Sequence, residues 1–181
     1  MKAGAATVLS IIALAATPIV FGQGAPGKAR VVKSDVMTGY QESVQPPGSI
    51  SSTGTGEFVA EIDDEAETIT YTLAYSDIEG GAVLFAHIHF GARGTTGGVS
   101  TFLCGGGTKP APCPTPGGTV TGVIAPADIQ GPVAQGIEAA NFAELVHAMR
   151  SGVTYVNVHS TQFPAGEIRG QVHDHNERQV K

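Results

Sequence analysis

The sequence predicts an all-β protein, a Greek-key-type β-sandwich or flattened barrel of about eight strands with one short helix. Three observations lead there. Short runs that alternate apolar and polar residues recur along the chain, as strands with one buried face require. Glycine (25) and proline (11) are abundant and scattered rather than periodic, which suits many turns. Hydrophobic residues make up 41% of the 181 positions, but aromatics only 6%, and tryptophan is absent. One core can be buried, and aliphatic side chains must build it.

Residues 30–37 open with a weak alternation, followed by a loop containing Gln45-Pro46-Pro47-Gly48. Residues 57–63 and 68–75 alternate well across the turn Asp63-Asp64-Glu65-Ala66-Glu67, with Ile69, Tyr71 and Leu73 on one face. These two read as a hairpin. Residues 83–90 form the next strand, and Gly91, Gly94, Gly97 and Gly98 mark a turn-rich loop after it. Residues 99–103 and 119–124 are strands, and Pro126 ends the second. One helix is predicted around Phe142, Leu145, Val146 and Met149. Asn141 caps it, Glu144 has the capping-box spacing, and Gly152 stops it. His147 falls off the apolar stripe, on the surface. Residues 153–159 and 167–172 are the last strands.

The N-terminus carries an address. Lys2 precedes an uncharged run from Ala3 to Phe21, and small residues follow. This is the pattern of a secretory signal peptide, residues 1–24, with cleavage after Gly24 or, second, after Ala16. An uncleaved anchor is the other reading. Thr7, Ser10, Thr17 and Pro18 inside the run oppose it. A linker at 25–30, one domain at 31–172 and a polar tail at 173–181 complete the organisation. No further segment is apolar enough to span a membrane once the leader is removed. The expected location is secreted, or in the cell envelope or periplasm.

The formal net charge is −6. Losing Lys2 with the leader makes it −6 − 1 = −7. An acidic chain without a Lys/Arg run has no footprint for nucleic acid or an anionic membrane. Cys104 and Cys113 are the two cysteines. In an exported chain an isolated pair usually bonds, here as a loop staple; a free thiol or metal ligand is the other reading.

Three segments carry a family resemblance. They are Glu42-Ser43-Val44-Gln45-Pro46-Pro47, Ala86-His87-Ile88-His89-Phe90-Gly91-Ala92-Arg93-Gly94, and Tyr155-Val156-Asn157-Val158-His159-Ser160 with Pro164-Ala165-Gly166-Glu167-Ile168-Arg169-Gly170-Gln171. In this order they resemble the CHRD (chordin-type) domain family, over about residues 31 to 172. The resemblance implies a β-sandwich module, stand-alone and exported, with no general biochemical activity. A fainter similarity links His87-Ile88-His89, His159 and Arg169 to the copper-ligand segments and guiding arginine of copper–zinc superoxide dismutases. No histidine lies between Phe90 and Leu145, so that family's bridging and zinc ligands are missing. A mono-copper relative is the most it implies.

Residues two apart in a strand share a face. His87 and His89 therefore project together, opposite Ala86, Ile88 and Phe90. His159 shares a face with Asn157 and Tyr155, opposite Val156 and Val158. All three histidines are expected on the outward faces of their sheets. Adjacent strands would bring three imidazoles to one spot, a set that suits copper or zinc. The alternative is a hydrogen-bonded network that pins the glycine-rich loop. Glu167 is a candidate to hold a ring, and Arg169 a candidate anion guide or ion-pair partner of Glu167. His173-Asp174-His175 could bind metal but belongs to the tail.

Other chemistries lack their residues. There is no Gly-x-Ser-x-Gly elbow and no phosphate loop. No carboxylate pair for glycoside hydrolysis can be assigned. Asp63, Asp64 and Glu65 lie in a turn, where acids are common; calcium binding there is the other reading. The leading expectation is an exported, non-enzymatic binding module whose partner is an extracellular protein or envelope component, with no certain cofactor. A mono-copper carrier or superoxide-handling enzyme is the alternative. A structural protein of the matrix or envelope is the third reading.

Overall fold

The computed structural model describes residues 30–43 and 48–174. The expected leader at 1–24 with its expected cleavage site, and His175, lie outside them. Among the described residues nine strands join one antiparallel sheet. They are β1 (Arg30–Ser34), β2 (Met37–Thr38), β3 (Thr55–Asp63), β4 (Thr68–Ser76), β5 (Val83–Phe90), β6 (Gly98–Cys104), β7 (Gly118–Ile124), β8 (Thr154–Ser160) and β9 (Ile168–Asp174). The expected first strand is broken at Asp35 and Val36, which separates β1 from β2. Strand β9 runs two residues into the expected tail, pairing His173 with Lys33 and Asp174 with Val32.

The spatial order is β6-β5-β8-β9-β1-β3-β4-β7. Strands β1, β3 and β4 run as neighbours. The chain then crosses to the β5–β6 hairpin, returns so that β7 pairs with β4, and crosses again so that β8 pairs with β5. This is the expected crossing pattern of an all-β sandwich or flattened barrel. Phe58, Ile69 and Leu73 from one half, and Ile88, Val156 and Ile168 from the other, share a single core cluster. Burying each such side chain contributes about 1.5–3 kcal/mol. Tyr71 ties the halves by donating its hydroxyl to Leu103 O at 2.8 Å.

The hairpin β3–β4 is paired from Thr55–Ser76 to Asp63–Thr68. Asp63 closes its turn by accepting from the amides of Glu65 (3.0 Å) and Ala66 (2.9 Å). The helix α1 spans Phe142–Arg150, and Asn141 accepts from Glu144 N at 3.2 Å. The capping box is not completed, because Glu144 accepts from Glu138 N instead. Phe142, Leu145, Val146 and Met149 are buried and His147 is exposed. The disulfide joins Cys104 at the end of β6 to Cys113, with Cα atoms 5.3 Å apart.

The two halves differ in their covering. Strand β4 alternates strictly between buried and more exposed positions, whereas every residue of β8 is buried. The loop after β5, the segment between β8 and β9, and α1 with its approach lie over the second half. Among these contacts, Gly91 N donates to Val153 O (2.8 Å) and Gln130 N to Ser100 O (2.8 Å).

Candidate functional site

Strands β5 and β8 are antiparallel neighbours, with Phe85 opposite His159, His87 opposite Asn157 and His89 opposite Tyr155. Ala86, Ile88, Val156 and Val158 face the core and are fully buried. The opposite face brings His87, His89 and His159 together, as adjacency of the strands requires. That face is not outward, however. His87, His89 and His159 are only 5%, 8% and 5% exposed, because the loops cross over them. The crossing needs small residues. A Cβ on Gly97 would lie 1.7 Å from Phe90 O.

The ring nitrogens converge. His87 Nδ1 sits 3.2 Å from both His159 Nε2 and His89 Nε2. One nitrogen from each ring lies within 4.8 Å of the others. The outer nitrogens are committed. His89 Nδ1 donates to Gly97 O at 2.9 Å and His159 Nδ1 to Pro164 O at 3.0 Å. A carbonyl only accepts, so these nitrogens carry the hydrogens and both Nε2 lone pairs point inward. Phe85 and Phe102 pack on His87, and Tyr155 stacks parallel on His89 with centroids 4.7 Å apart.

Burial pushes His87 down to about 3, helped by the neighbouring imidazoles. Burial also holds His159 at about 4, against the opposing pull of the Pro164 carbonyl. His89 is lowered for the same first reason. The cluster is therefore neutral at physiological pH, the form in which imidazole ligates a metal.

Arg169 and Glu167 do not pair with each other. Arg169 is 1% exposed and lies with Cζ 3.4 Å from the Tyr155 ring centroid. It donates to Thr95 O (2.7 Å) and Ala92 O (3.1 Å), pinning the covering loop. Glu167 accepts from Ser52 Oγ (2.6 Å), Glu79 N (2.8 Å) and Gly80 N (3.1 Å). Its oxygens are spent on another loop, and backbone carbonyls orient the rings in its place. His173 stands apart, half-buried with Nε2 3.4 Å from Asp35 Oδ1.

Two residues of the site had no assigned role in the sequence. Asn157 Oδ1 lies 2.9 Å from His159 Nε2. Glu42 is 4% exposed, and its Oε1 has no hydrogen-bond partner among the described residues. Burial raises its carboxyl to about 7, against Arg169, the Ser43 amide and the Asn157 side chain. Gly166 closes over this pair. A Cβ there would lie 2.4 Å from Glu42 Oε1 and 2.9 Å from Asn157 Nδ2. Both residues stand in the motif segments quoted above, which is the one signal that could have flagged them.

Fold and site together define an all-β sandwich module with a buried, loop-covered polar centre. A CHRD domain model matches residues 34–172, and the chain belongs to the CHRD domain family. No curated protein and no solved structure matches it significantly. Among the described residues no helix is long and apolar enough to cross a membrane.

Proposed function

We propose that this CHRD domain is exported behind its leader and works as an extracellular binding module, with the sandwich as scaffold. What it binds at the covered centre is a divalent metal ion, copper(II) or zinc(II), held by His87, His89 and His159. The observation that carries the reading is the convergence of three inward nitrogens, two of them fixed in tautomer by backbone carbonyls. Such outer hydrogen bonds orient ligating histidines in metal proteins. The donors fit the group. Neutral imidazoles suit copper and zinc, and no thiolate is present to select a softer ion. The competing account, a purely architectural network, predicts no ion at all.

The test is metal content and Cu(II) electron paramagnetic resonance on the exported chain, beside a His87→Ala/His89→Ala variant. One copper per chain with a nitrogen-rich spectrum, lost in the variant, is the expected result. Absence of bound metal, with a variant that is merely less stable, would make the histidines architectural and direct attention to protein or envelope partners.

A further inference from the structure

We infer that the centre is closed by a fourth protein donor, the side-chain oxygen of Asn157, which makes it a site that holds an ion rather than one that turns over substrate. The inference rests on the metal reading above. Its starting point is a contact between two acceptors. Asn157 Oδ1 is 2.9 Å from His159 Nε2. The His159 hydrogen is on Nδ1, given to Pro164 O, so Nε2 offers only a lone pair.

Turning the amide over relieves this only while the Glu42 carboxyl carries a proton. Its Nδ2 lies beside Glu42 under Gly166, where the Asn157 side chain favours the ionised carboxyl. With Glu42 ionised, reversal would aim Oδ1 at the carboxylate oxygens, acceptor against acceptor.

A count of hydrogens completes the argument. Three neutral rings carry one N–H each. Two of those point outward, to Gly97 O and Pro164 O. At most one remains, on His87 Nδ1, to serve His89 Nε2, His159 Nε2 and Asn157 Oδ1. One hydrogen cannot satisfy three separate acceptors, and unmatched buried acceptors cost about 1–3 kcal/mol each. A cation at the centre uses every lone pair. Three nitrogens and one oxygen fill a four-coordinate shell, and sites with four protein ligands are structural, whereas catalytic sites keep one position open. Arg169 agrees with closure. It is buried against Tyr155 and bound to two loop carbonyls, which holds the covering loop over the centre.

The test uses the full chain loaded with one Cu(II) and titrated with azide, followed by paramagnetic resonance and the azide-to-copper charge-transfer band. Wild type should keep its spectrum in excess azide. Asn157→Ala should keep the three-nitrogen signature yet take up azide, because its fourth position is open. Azide binding to wild type as readily as to the variant overturns the closure and leaves the histidine site standing. A chain that takes up no copper, or one whose copper survives His87→Ala/His89→Ala, overturns the histidine reading itself. Should Asn157→Ala fail to fold, the ¹³C resonance of the Asn157 side-chain carbonyl decides. Zn(II) loading of wild type should displace it, and an unmoved resonance removes Asn157 from the donor set.

Discussion

Strand β4 alternates between buried and more exposed residues, whereas β8 is buried at every position. The difference lies in what covers the second face. On β4 that face meets water, so Thr70 and Thr72 need no protein partner. On β8 and β9 it meets loops, and most polar side chains of these strands bond to protein, although Thr154 Oγ1 has no partner among the described residues. Gln171 gives its amide to Gly91 O and Gly152 O, both at 2.9 Å. Arg169 and His159 likewise bond to loop carbonyls. Covering turns an ordinary solvated face into a polar interior, and a polar interior is where a site can be built.

The largest expected effects separate the two halves directly. Leu73→Ala in β4 should cost about 2–5 kcal/mol, and its outward neighbour Thr72→Ala no more than about 0.5. In β9 both faces should be expensive. Ile168→Ala should cost about 2–5 kcal/mol, and Gln171→Ala about 1–3 through its stranded carbonyls. Urea unfolding measures all four. A Gln171→Ala variant as mild as Thr72→Ala would break the comparison.

Acid should act on the covered half. Unfolded histidine titrates near 6.5, whereas folded His87 and His159 do so near 3 and 4. Protons therefore bind the unfolded chain first. In the metal-free protein, stability present above about pH 6.5 is lost as pH falls toward those values, at up to about 1.4 kcal/mol per pH unit for each ring. Glu42 has the opposite sign. Its folded value, about 7, lies above the ordinary 4.5. Its contribution is present below pH 4.5 and is lost as pH rises through 7. Urea midpoints across pH should show an acid limb that persists in Glu42→Gln and an alkaline limb that this variant flattens.

The staple ties β6 to the loop that leads back to β7. Replacing both cysteines by serine should cost about 2–3 kcal/mol by the entropy of so short a loop, read from the shift in the thermal midpoint. The smallest effect belongs to Arg150 and Asp64, which bond at 3.0 and 2.7 Å between the helix and the β3–β4 turn. Asp64 is exposed, so Asp64→Asn should cost under about 1 kcal/mol, and that difference should fade in 1 M salt.

Alternation in residues 57–63, 68–75 and 83–90 made those strands legible, since periodicity reports which residues share a face. It also put His87 with His89, and His159 with Asn157. It does not report what lies over a face, and so the histidines read as outward when loops in fact bury them. The ring-orienting groups were illegible for a related reason. The Gly97 and Pro164 carbonyls are backbone, which no residue type advertises, and Glu167 drew attention as the nearby carboxylate. Glu42 sits in a short segment with no periodicity, where burial leaves no trace in the sequence.

His87 and His159 are 72 residues apart in the chain. In the unfolded state His87 and His89 remain neighbours, but the third ring is one loop closure away, with an entropy cost that grows with the logarithm of that separation. The three rings come together only when β5 and β8 have zipped together. An ion that needs all three rings binds the native chain alone and draws the folding equilibrium toward it. At a free concentration one hundredfold above its dissociation constant, that pull amounts to about 2.7 kcal/mol. Occupancy of the centre would then set how long the chain stays folded.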